Sequence, residues 1–531
     1  MSATAESTHL QSTAPKRVPA ARRRKVTPDH ETVIIGAGIS GMGTAIELMR
    51  RGNNRFIILE RARDVGGTWR DNRYPGVAVD ITSFTYSYSF EQEPNWSRVF
   101  APGTELNQYT RRVAAKYGVY KHIRFGVEIE QAEFDAEYHL WRISTTAGEQ
   151  ITARFVVSAT GGLISPKLPD IEGLDSFKGK VIHTGRWDGE YSLKDKRVAV
   201  IGTGATAVQL IPKIAPEVAH LDVYQRTPIW VLKKPDGKIP AWLRTLFRWS
   251  PLLQRAVRMG TDALTEAVMV VALVQYRNMP GLVHWAERAC LNNMREQLSE
   301  RPDLWEKLTP AYGFGCKRPT FSNDYFQTYG RDNVDLVTAG IDRISEDGII
   351  DKSGQERPVD VLILATGYRV FERGNLPSYE VWGSNRRELG EFWESERYQA
   401  YEGVTIPGYP NYFMQLGPYA LLGSSYFKMV EGNAIHIGRC IDEAHRRGAS
   451  MVEVRPDIHR RYFEDIQARQ EQTVFLNHNC EASNSYYFDC NGDAPMLRPS
   501  TSMEMMWRAK HLSMDNYLYS ERNRKRIVPN D

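Results

Sequence analysis

The chain has 531 residues, of which 42% are hydrophobic and 25% are charged. Such fractions are typical of a globular protein that folds into roughly two to four domains. Lys and Arg number 68 against 64 Asp and Glu, which gives a formal net charge of +4; we expect no nucleic acid partner, because nucleic-acid-binding domains usually concentrate basic residues on one face.

The N-terminal segment 1–27 is rich in Ala, Ser, Thr, Pro and Arg and contains no apolar stretch. This composition predicts a disordered tail rather than a secretory signal. An organelle transit peptide is a less favoured alternative, because Glu6 interrupts the basic composition. The most apolar run, Ala267–Val274, is far shorter than the roughly 20 residues that cross a bilayer. We therefore expect no membrane partner, and the cysteine usage described next predicts a cytoplasmic protein.

The cysteines are scattered and form no Cys-x-x-Cys pair: Cys290, Cys316, Cys440, Cys480 and Cys490. This usage predicts free thiols in the core of a protein from a reducing compartment. It also argues against a flavin-dependent disulfide reductase, whose chemistry needs two closely spaced cysteines beside the flavin.

A first nucleotide-binding unit begins with the β-branched run Val33–Ile35, which leads through a glycine-rich turn into a helix-forming segment. Strand, turn and helix in this order are the context that a dinucleotide fingerprint requires. Its three glycines permit the turn, the approach of the pyrophosphate and the packing of helix on strand; here they are Gly36, Gly38 and Gly41. After a second strand, Phe56–Leu59, Glu60 lies 24 positions beyond Gly36, which is where a carboxylate accepts ribose hydroxyls.

A second unit repeats this order, with the strand Arg197–Ile201 followed by Gly202, Gly204 and Ala207. Its next strand ends in Gln225-Arg226, where an NAD site would place an acid. An arginine there pairs with a 2′-phosphate, so the second unit predicts NADPH. The alternative is an ordinary surface arginine.

Between Lys233 and Leu308 the alternating pattern of strands disappears and helix-forming residues dominate. We predict an α/β protein with two doubly wound, Rossmann-like dinucleotide-binding domains and a helical insert. Two strands, Phe155–Val157 and Val359–Leu364, run into Ala-Thr-Gly turns that mark crossings between the domains. The predicted parts are a disordered tail 1–27, an FAD domain of 28–165 and 370–531, an NADPH domain of 166–233 and 312–369, and an insert 234–311.

A further motif precedes the second unit: Phe-x-Gly-x-x-x-His-x-x-x-Trp, at Phe177, Gly179, His183 and Trp187. With it the chain resembles the Baeyer–Villiger monooxygenases over roughly residues 30 to 520. Gly66-Gly67-Thr68-Trp69 and the segment Gly315–Arg318 also resemble family segments, the first contacting the flavin and the second carrying an active-site arginine.

The resemblance implies FAD and NADPH as cofactors, with a small-molecule ketone and O2 as substrates. It implies oxygen insertion beside the carbonyl through a C4a-peroxyflavin and a Criegee adduct, giving an ester or lactone. Arg318 would be the catalytic cation and Asp80 the acid that holds it. The implied cofactor-binding residues are Gly36, Gly38, Gly41, Glu60, Gly67, Thr68, Trp69, Tyr74, Asp80, Tyr86, Gly202, Gly204, Ala207, Arg226, Thr227 and Lys317.

His183 is not expected to act as a base, because its motif lies at the link between the domains and the family's reaction needs no imidazole base. No metal site is predicted, and we expect a monomer or weak oligomer. Two alternatives remain open: a sulfur- or nitrogen-oxidising flavin monooxygenase, and a nucleotide-binding protein that turns over nothing or only oxidises NADPH. Departures from the family at Arg70-Asp71 and Leu497–Ser500 leave the ketone undetermined.

Overall fold

The computed structural model describes residues 27–521. The predicted disordered tail therefore lies, except for its last residue, outside the described part of the chain. The strands are β1 His30–Ile35, β2 Phe56–Glu60, β3 Ile123–Phe125, β4 Ile129–Asp135, β5 Leu140–Thr145, β6 Gln150–Ser158, β7 Lys180–His183, β8 Arg197–Ile201, β9 His220–Tyr224, β10 Val231–Leu232, β11 Thr320–Phe321, β12 Val334–Val337, β13 Ile341–Ile344, β14 Gly348–Asp351, β15 Glu356–Pro358, β16 Val361–Leu364, β17 Glu380–Trp382, β18 Tyr412–Met414, β19 Met451–Val454 and β20 Tyr517–Ser520.

The α-helices are α1 Ile39–Arg50, α2 Thr68–Asp71, α3 Gly103–Lys116, α4 Ala205–Ile214, α5 Ala241–Trp249, α6 Pro251–Thr265, α7 Val271–Val274, α8 Pro280–Gln297, α9 Trp305–Leu308, α10 Leu389–Glu396, α11 Tyr426–Arg446, α12 Pro456–Gln470, α13 Val474–Asn477 and α14 Ser502–His511. A π-helical turn, Glu266–Val270, joins α6 to α7. Short 3₁₀ turns lie at Val119–His122, Leu174–Ser176, Thr184–Arg186, Pro302–Leu304, Gln327–Gly330, Glu481–Ser483 and Met514–Asn516.

The strand of the first fingerprint, β1, lies inside a large mixed sheet with the order β17-β4-β5-β6-β1-β2-β3, and β18 also pairs with β6. It runs parallel to both of its neighbours, β2 and β6. Strand β5 runs antiparallel to both β4 and β6, an extension of the sheet that no sequence pattern predicted. Val33 and Ile34 are fully buried, as expected for a parallel strand covered on both faces.

The second fingerprint strand, β8, lies in a separate parallel sheet with the order β12-β9-β8-β16-β7. Strand order reverses on either side of β8, as it does beside β1, so each sheet has a topological switch point at its glycine-rich turn. The predicted α/β class with two Rossmann-like cores is confirmed.

The two glycine-rich turns are built in the same way. Gly36 has φ of +106° and Gly202 φ of +110°, a region in which residues other than glycine are strained. A β-carbon at Gly36 would lie 2.7 Å from the carbonyl oxygen of Ala159, and one at Gly202 would lie 2.6 Å from that of Ala365. Each turn therefore packs directly on an Ala-Thr-Gly turn of the same sheet.

Helices α5 to α9 lie within the predicted insert. Two short parallel strands, β10 and β11, join the segment that follows β9 to the segment that follows Arg318. In this pair Val231 lies opposite Thr320. Phe247 of α5 packs edge-on against Phe84, with ring centroids 6.0 Å apart. Among residues 27–521, no helix is both long and apolar enough to cross a membrane.

The expectation that all cysteines are free thiols is wrong. Cys316 and Cys480 form a disulfide across 164 residues of sequence, a separation that leaves no spacing signal. Cys290 and Cys440 are buried free thiols, and Cys490 is exposed. The disulfide joins the loop before Arg318 to a C-terminal loop.

Candidate functional site

The first glycine-rich turn opens into a pocket at the N-terminus of α1. Gly38 caps this helix and no side chain bonds to its first amide groups, so these N–H groups are free to bind an anion. Gly38 and Gly67 approach each other closely in the lining of this pocket, since a β-carbon at Gly67 would lie 3.2 Å from the Gly38 Cα. Gly41 lies beneath, where a β-carbon would come 1.9 Å from the Gly36 oxygen. The backbone surface suits a pyrophosphate that approaches closely.

Glu60 ends β2 and lines the same pocket. Its carboxylate accepts hydrogen bonds from the amides of Ala37 at 2.8 Å and Ala62 at 2.9 Å. The buried guanidinium of Arg70 donates to it at 3.2 Å and to both carboxylate oxygens of Asp71. A carboxylate offers about four acceptor positions, so one remains for a ribose hydroxyl. Arg70 and Asp71, where the sequence departs from the family, thus lie beside the carboxylate that suits the ribose.

Aromatic residues also line this pocket. Thr68 begins α2, and Trp69 beside it meets Tyr86 edge-on, with ring centroids 5.6 Å apart. Tyr86 in turn packs against Phe427 of α11. Burial raises the pKa of Tyr86, so its hydroxyl stays protonated. Thr68, Trp69 and Tyr86 all line the pocket beside Asp80.

Tyr74 takes a different position from the other predicted FAD residues. It is buried, and its hydroxyl donates to Gln209 of α4 at 2.9 Å. Gln209 also donates to the carbonyl of Ala78 at 3.1 Å. Tyr74 therefore links the segment that leads to Asp80 with the helix of the second nucleotide unit.

Arg318 and Asp80 form a two-point ion pair at the edge of the pocket. Arg318 Nε donates to Asp80 Oδ2 at 2.6 Å, and Nη2 donates to Oδ1 at 2.5 Å. The charge of Asp80 keeps the pKa of Arg318 well above its ordinary value, although burial opposes this. Both side chains remain partly exposed and line the pocket. A guanidinium held at two donors still has donors for a further oxygen.

The loop that carries Arg318 is held by the insert and by the C-terminal loop. A β-carbon at Gly315 would lie 2.4 Å from Leu273 of α7 and 3.2 Å from Val474, so only a glycine fits between these elements. The adjacent Cys316 forms the disulfide with Cys480. These contacts fix the backbone on which Arg318 reaches Asp80.

The second nucleotide unit has the same free helix N-terminus. Gly204 caps α4 without a side-chain bond, and a β-carbon there would meet no atom within 4 Å, so the space in front of the helix is open to a ligand. Ala207 is fully buried in the core beneath α4. The Thr227 carbonyl accepts from Thr203 at 2.8 Å, and Asn484 donates to the Thr227 hydroxyl at 3.1 Å.

Lys317 and Arg226 come from different elements but lie near enough for their positive charges to repel. Burial and, to a smaller extent, the charge of Arg226 lower the pKa of Lys317 to about 8. Arg226 itself is exposed. Two cations that repel one another are a suitable site for a phosphate dianion, which relieves the repulsion. The neighbours Lys317 and Arg318 thus point to different partners.

The motif that contains His183 packs between the two units. His183 ends β7 and its Nδ1 accepts from the amide of Gly185 at 3.0 Å. A β-carbon at Gly185 would lie 2.3 Å from the hydroxyl of Tyr368, which donates to Asn72 at 2.9 Å. Burial lowers the pKa of His183. His183 does not line the pocket that contains Arg318. This position is consistent with a residue that packs where the two nucleotide units meet, and not with a general base.

Two tyrosines that were not predicted as site residues lie beside the ion pair. Tyr486 and Tyr487 follow the Cys480 disulfide and line the pocket next to Arg318. Burial raises the pKa of both hydroxyls despite the positive charge of Arg318. No motif marks them, and only the aromatic character of this C-terminal loop hinted at a role in shaping the pocket.

Two groups of possible metal ligands come together within residues 27–521, although no sequence spacing predicted them: His284, Glu287 and His478, and His220, Asp222 and Asp335. In the first group, the Asn479 amide donates to His478 Nδ1 at 2.9 Å, so the neutral ring carries its proton on Nε2, which donates to Glu287 at 3.0 Å. In the second, Arg357 donates to both aspartates. Hydrogen bonds with the protein thus already occupy His478 and Glu287 in the first group and both aspartates in the second.

Comparison with known proteins gives a consistent result. Residues 33–267 match the family described as pyridine nucleotide-disulphide oxidoreductase. A Baeyer–Villiger monooxygenase of Pseudomonas aeruginosa is 38% identical over 453 residues, which cover 85% of this chain and 84% of that protein. One from Streptomyces coelicolor is 36% identical over 494 residues, covering 92% and 93%. The crystal structure of OTEMO in complex with FAD and NADP has a TM-score of 0.82 at 27% identity, covering 93% of this chain and all of that one.

Proposed function

Because the chain belongs to the Baeyer–Villiger monooxygenases and is thus an NADPH-dependent FAD monooxygenase, we propose that it inserts one oxygen atom from O2 beside a ketone carbonyl and releases an ester or lactone. The observation that carries this proposal is the ion pair of Arg318 with Asp80 at the pocket of the first nucleotide unit. When bound, NADPH supplies the hydride and FAD the electrons that activate O2.

Arg318 is the catalytic cation of the proposal. Addition of oxygen to a carbonyl carbon places negative charge on the carbonyl oxygen, and a fixed guanidinium stabilises that charge because its donors are already oriented. Arginine suits this role because it stays protonated at any working pH. Asp80 acts as the positioning residue, because its two bonds to Arg318 set the plane of the guanidinium.

The cofactor assignments rest on the two free helix N-termini. The turn of Gly36, Gly38 and Gly41, together with Glu60, suits the pyrophosphate and ribose of FAD. The turn of Gly202 and Gly204 suits the pyrophosphate of NADPH, whose 2′-phosphate Lys317 and Arg226 would hold, with Thr227 beside them. The flavin would lie against Gly67, Thr68, Trp69 and Tyr86. Tyr74 would hold the first unit against α4 of the second unit through its bond to Gln209.

The proposed domain division follows the two sheets: 28–165 with 370–531 for FAD, 166–233 with 312–369 for NADPH, and 234–311 as the insert. Strands β1 to β6, β17 and β18 belong to one sheet and β7 to β9, β12 and β16 to the other, which supports this division. Residues 522–531 lie outside the described part of the chain.

The decisive experiment is an NADPH-coupled panel of linear, cyclic, aryl and steroidal ketones with products identified by mass spectrometry. A product heavier than the ketone by one oxygen atom, identified as an ester or lactone, is the expected result. Oxidation of sulfides or amines without any ester would instead assign the chain to heteroatom oxidation. NADPH consumption that yields only hydrogen peroxide with every ketone would contradict the proposal, and a purified protein without flavin absorbance would contradict any oxygenase.

A further inference from the structure

Helix α6, Pro251–Thr265, is amphipathic in the reverse of the usual sense. A surface helix normally buries its apolar stripe and exposes its polar side chains. In α6 the side chains that face the protein are polar. Gln254 donates to the carbonyl of Glu93 at 2.8 Å, and the buried guanidinium of Arg258 donates to the carbonyl of Ser87 at 2.9 Å. One turn beyond, buried Glu266 accepts from the Ser502 amide at 2.6 Å.

The side of α6 that faces solvent is apolar. Leu252, Ala256, Met259 and Ala263 recur at intervals of three and four residues and are all exposed, so they form one continuous stripe. Leu252 is 74% exposed and Met259 71% exposed. Because the polar face is already used for binding the rest of the protein, this helix cannot turn its apolar stripe inward.

The preceding helix α5 adds aromatic residues to the same surface. Trp242, Leu246 and Trp249 lie at intervals of four and three on α5, and Trp242 is 67% and Trp249 84% exposed. Their opposite neighbour, Phe247, is buried. We call Trp242, Leu246, Trp249, Leu252, Met259 and Leu264 the apolar insert face. Scattered exposed apolar residues are ordinary, but a contiguous set of this size marks a binding surface.

Charge identifies the partner of this face. Residues 237–261 contain Lys and Arg but no Asp or Glu. Lys238, Arg248 and Arg255 are exposed, and no carboxylate of the described residues forms a salt bridge with Arg248 or Arg255. A second copy of this chain is therefore a poor partner, because a two-fold interface would bring this cationic face against itself.

We propose that the apolar insert face binds the surface of an anionic lipid membrane, with α5 and α6 lying in the plane of the interface. Tryptophan is enriched at the boundary of headgroups and acyl chains, and helices with Trp and Leu on one side and Arg or Lys at the margin adsorb there. Long arginine side chains reach the headgroups while their stems lie among apolar groups.

The expectation of no membrane partner came from the short apolar run, which excludes crossing a bilayer. Adsorption requires no such run, only an exposed apolar face bordered by cations. The proposal is independent of the reaction, because none of these residues lines the pocket that contains Arg318.

The test is co-sedimentation of the full FAD-loaded chain with phosphatidylcholine vesicles that do or do not contain phosphatidylglycerol. We expect binding to the anionic vesicles, weakened by added salt. The triple variant Trp249→Ser, Leu252→Ser, Met259→Ser should bind more weakly by at least about tenfold, since each lost side chain removes a large buried apolar area. Arg248→Glu with Arg255→Glu should remove the preference for phosphatidylglycerol.

The matched control is Leu168→Ser with Leu518→Ser, because these exposed apolar side chains lie outside the insert, in the loop before β7 and on β20. This variant should bind like the parent protein, and flavin absorbance and the melting temperature should show that every variant is folded. Failure of the parent chain to bind anionic vesicles, or unchanged binding of the triple variant, would overturn the proposal. So would a parent dimer that becomes a monomer in the triple variant, since the face would then be a dimer interface.

Discussion

Arg318 and Asp80 are joined by two hydrogen bonds of 2.5 and 2.6 Å although 238 residues separate them in sequence. In the proposed domain division the arginine comes from the NADPH domain and the aspartate from the FAD domain, so the pair would join the two domains at the pocket. Any change in how the units meet changes the position of the cation that the proposed reaction requires.

Arg318→Ala should abolish ester formation while NADPH oxidation continues. Loss of one preorganised charge-stabilising group reduces turnover by roughly 10²- to 10³-fold, and the electrons should then appear as hydrogen peroxide. Product mass and peroxide release measure the two outcomes. Arg197→Ala is the control, since Arg197 forms a similar two-point pair with Asp360 on the surface. Full ester formation by Arg318→Ala would refute the assigned role.

Asp80→Asn should lower ester formation by a smaller factor, about tenfold, because the amide keeps one acceptor but removes the charge that raises the pKa of Arg318. Residues that act through one another are not additive. We therefore expect the double variant Arg318→Ala, Asp80→Asn to be no slower than Arg318→Ala alone. Additive losses would mean that Asp80 acts independently of Arg318.

The KM for NADPH should rise as the pH increases above about 8. Lys317 has a lowered pKa of about 8, so its positive charge is present below this pH and is lost above it. Loss of one charge-assisted contact to a phosphate weakens binding by about tenfold. Lys317→Arg should give a flat profile, because arginine keeps its charge. An identical rise in Lys317→Arg would show that another group titrates.

Glu402→Gln should strongly destabilise the fold. Glu402 is buried between Arg498 and Arg508 and accepts hydrogen bonds from both. Burial alone would raise its pKa, but the two guanidiniums outweigh this and lower it to about 2. Removing the charge leaves Arg498 buried without its partner, which costs about 3–5 kcal/mol. Urea unfolding measures the loss, and Glu443→Gln, whose partners Arg446 and Arg447 are exposed, should lose less than about 1 kcal/mol.

The same carboxylate predicts acid sensitivity. Because the pKa of Glu402 is lower in the folded chain than its ordinary value of 4.5, its stabilising contribution is present above that value and is lost as the pH falls toward 2. Unfolding curves of the parent protein should therefore lose stability over this range. Glu402→Gln should lose less over the same range, and an equal loss in both proteins would contradict the prediction.

Thiol titration of the unfolded, unreduced chain should find Cys290, Cys440 and Cys490 and, after reduction, also Cys316 and Cys480. Replacing both disulfide cysteines by serine should lower the free energy of unfolding by about 2–4 kcal/mol. Cys490→Ser, at an exposed free thiol, should have little effect. Five reactive thiols before reduction would contradict the disulfide.

The sequence by itself determined the two strand, turn and helix units, because the glycine pattern, the β-branched strands and the helix starts are local and each constrains only its own neighbours. It also determined the family, through a motif whose residues lie within a single short segment. Tertiary packing sets where some elements begin: α11 starts at Tyr426, whose hydroxyl shares a hydrogen bond of 2.7 Å with Ser40 of α1.

Tertiary structure alone decided which distant residues meet. Tyr486 and Tyr487 reach Arg318 through a loop without regular structure, and Cys316 finds Cys480 across 164 residues. It also decided which side of α6 faces the protein, because the periodicity of a helix defines two faces but not which one is buried. Buried polar partners at Glu93, Ser87 and Ser502 make that choice, and their positions come from packing between segments that no local pattern connects.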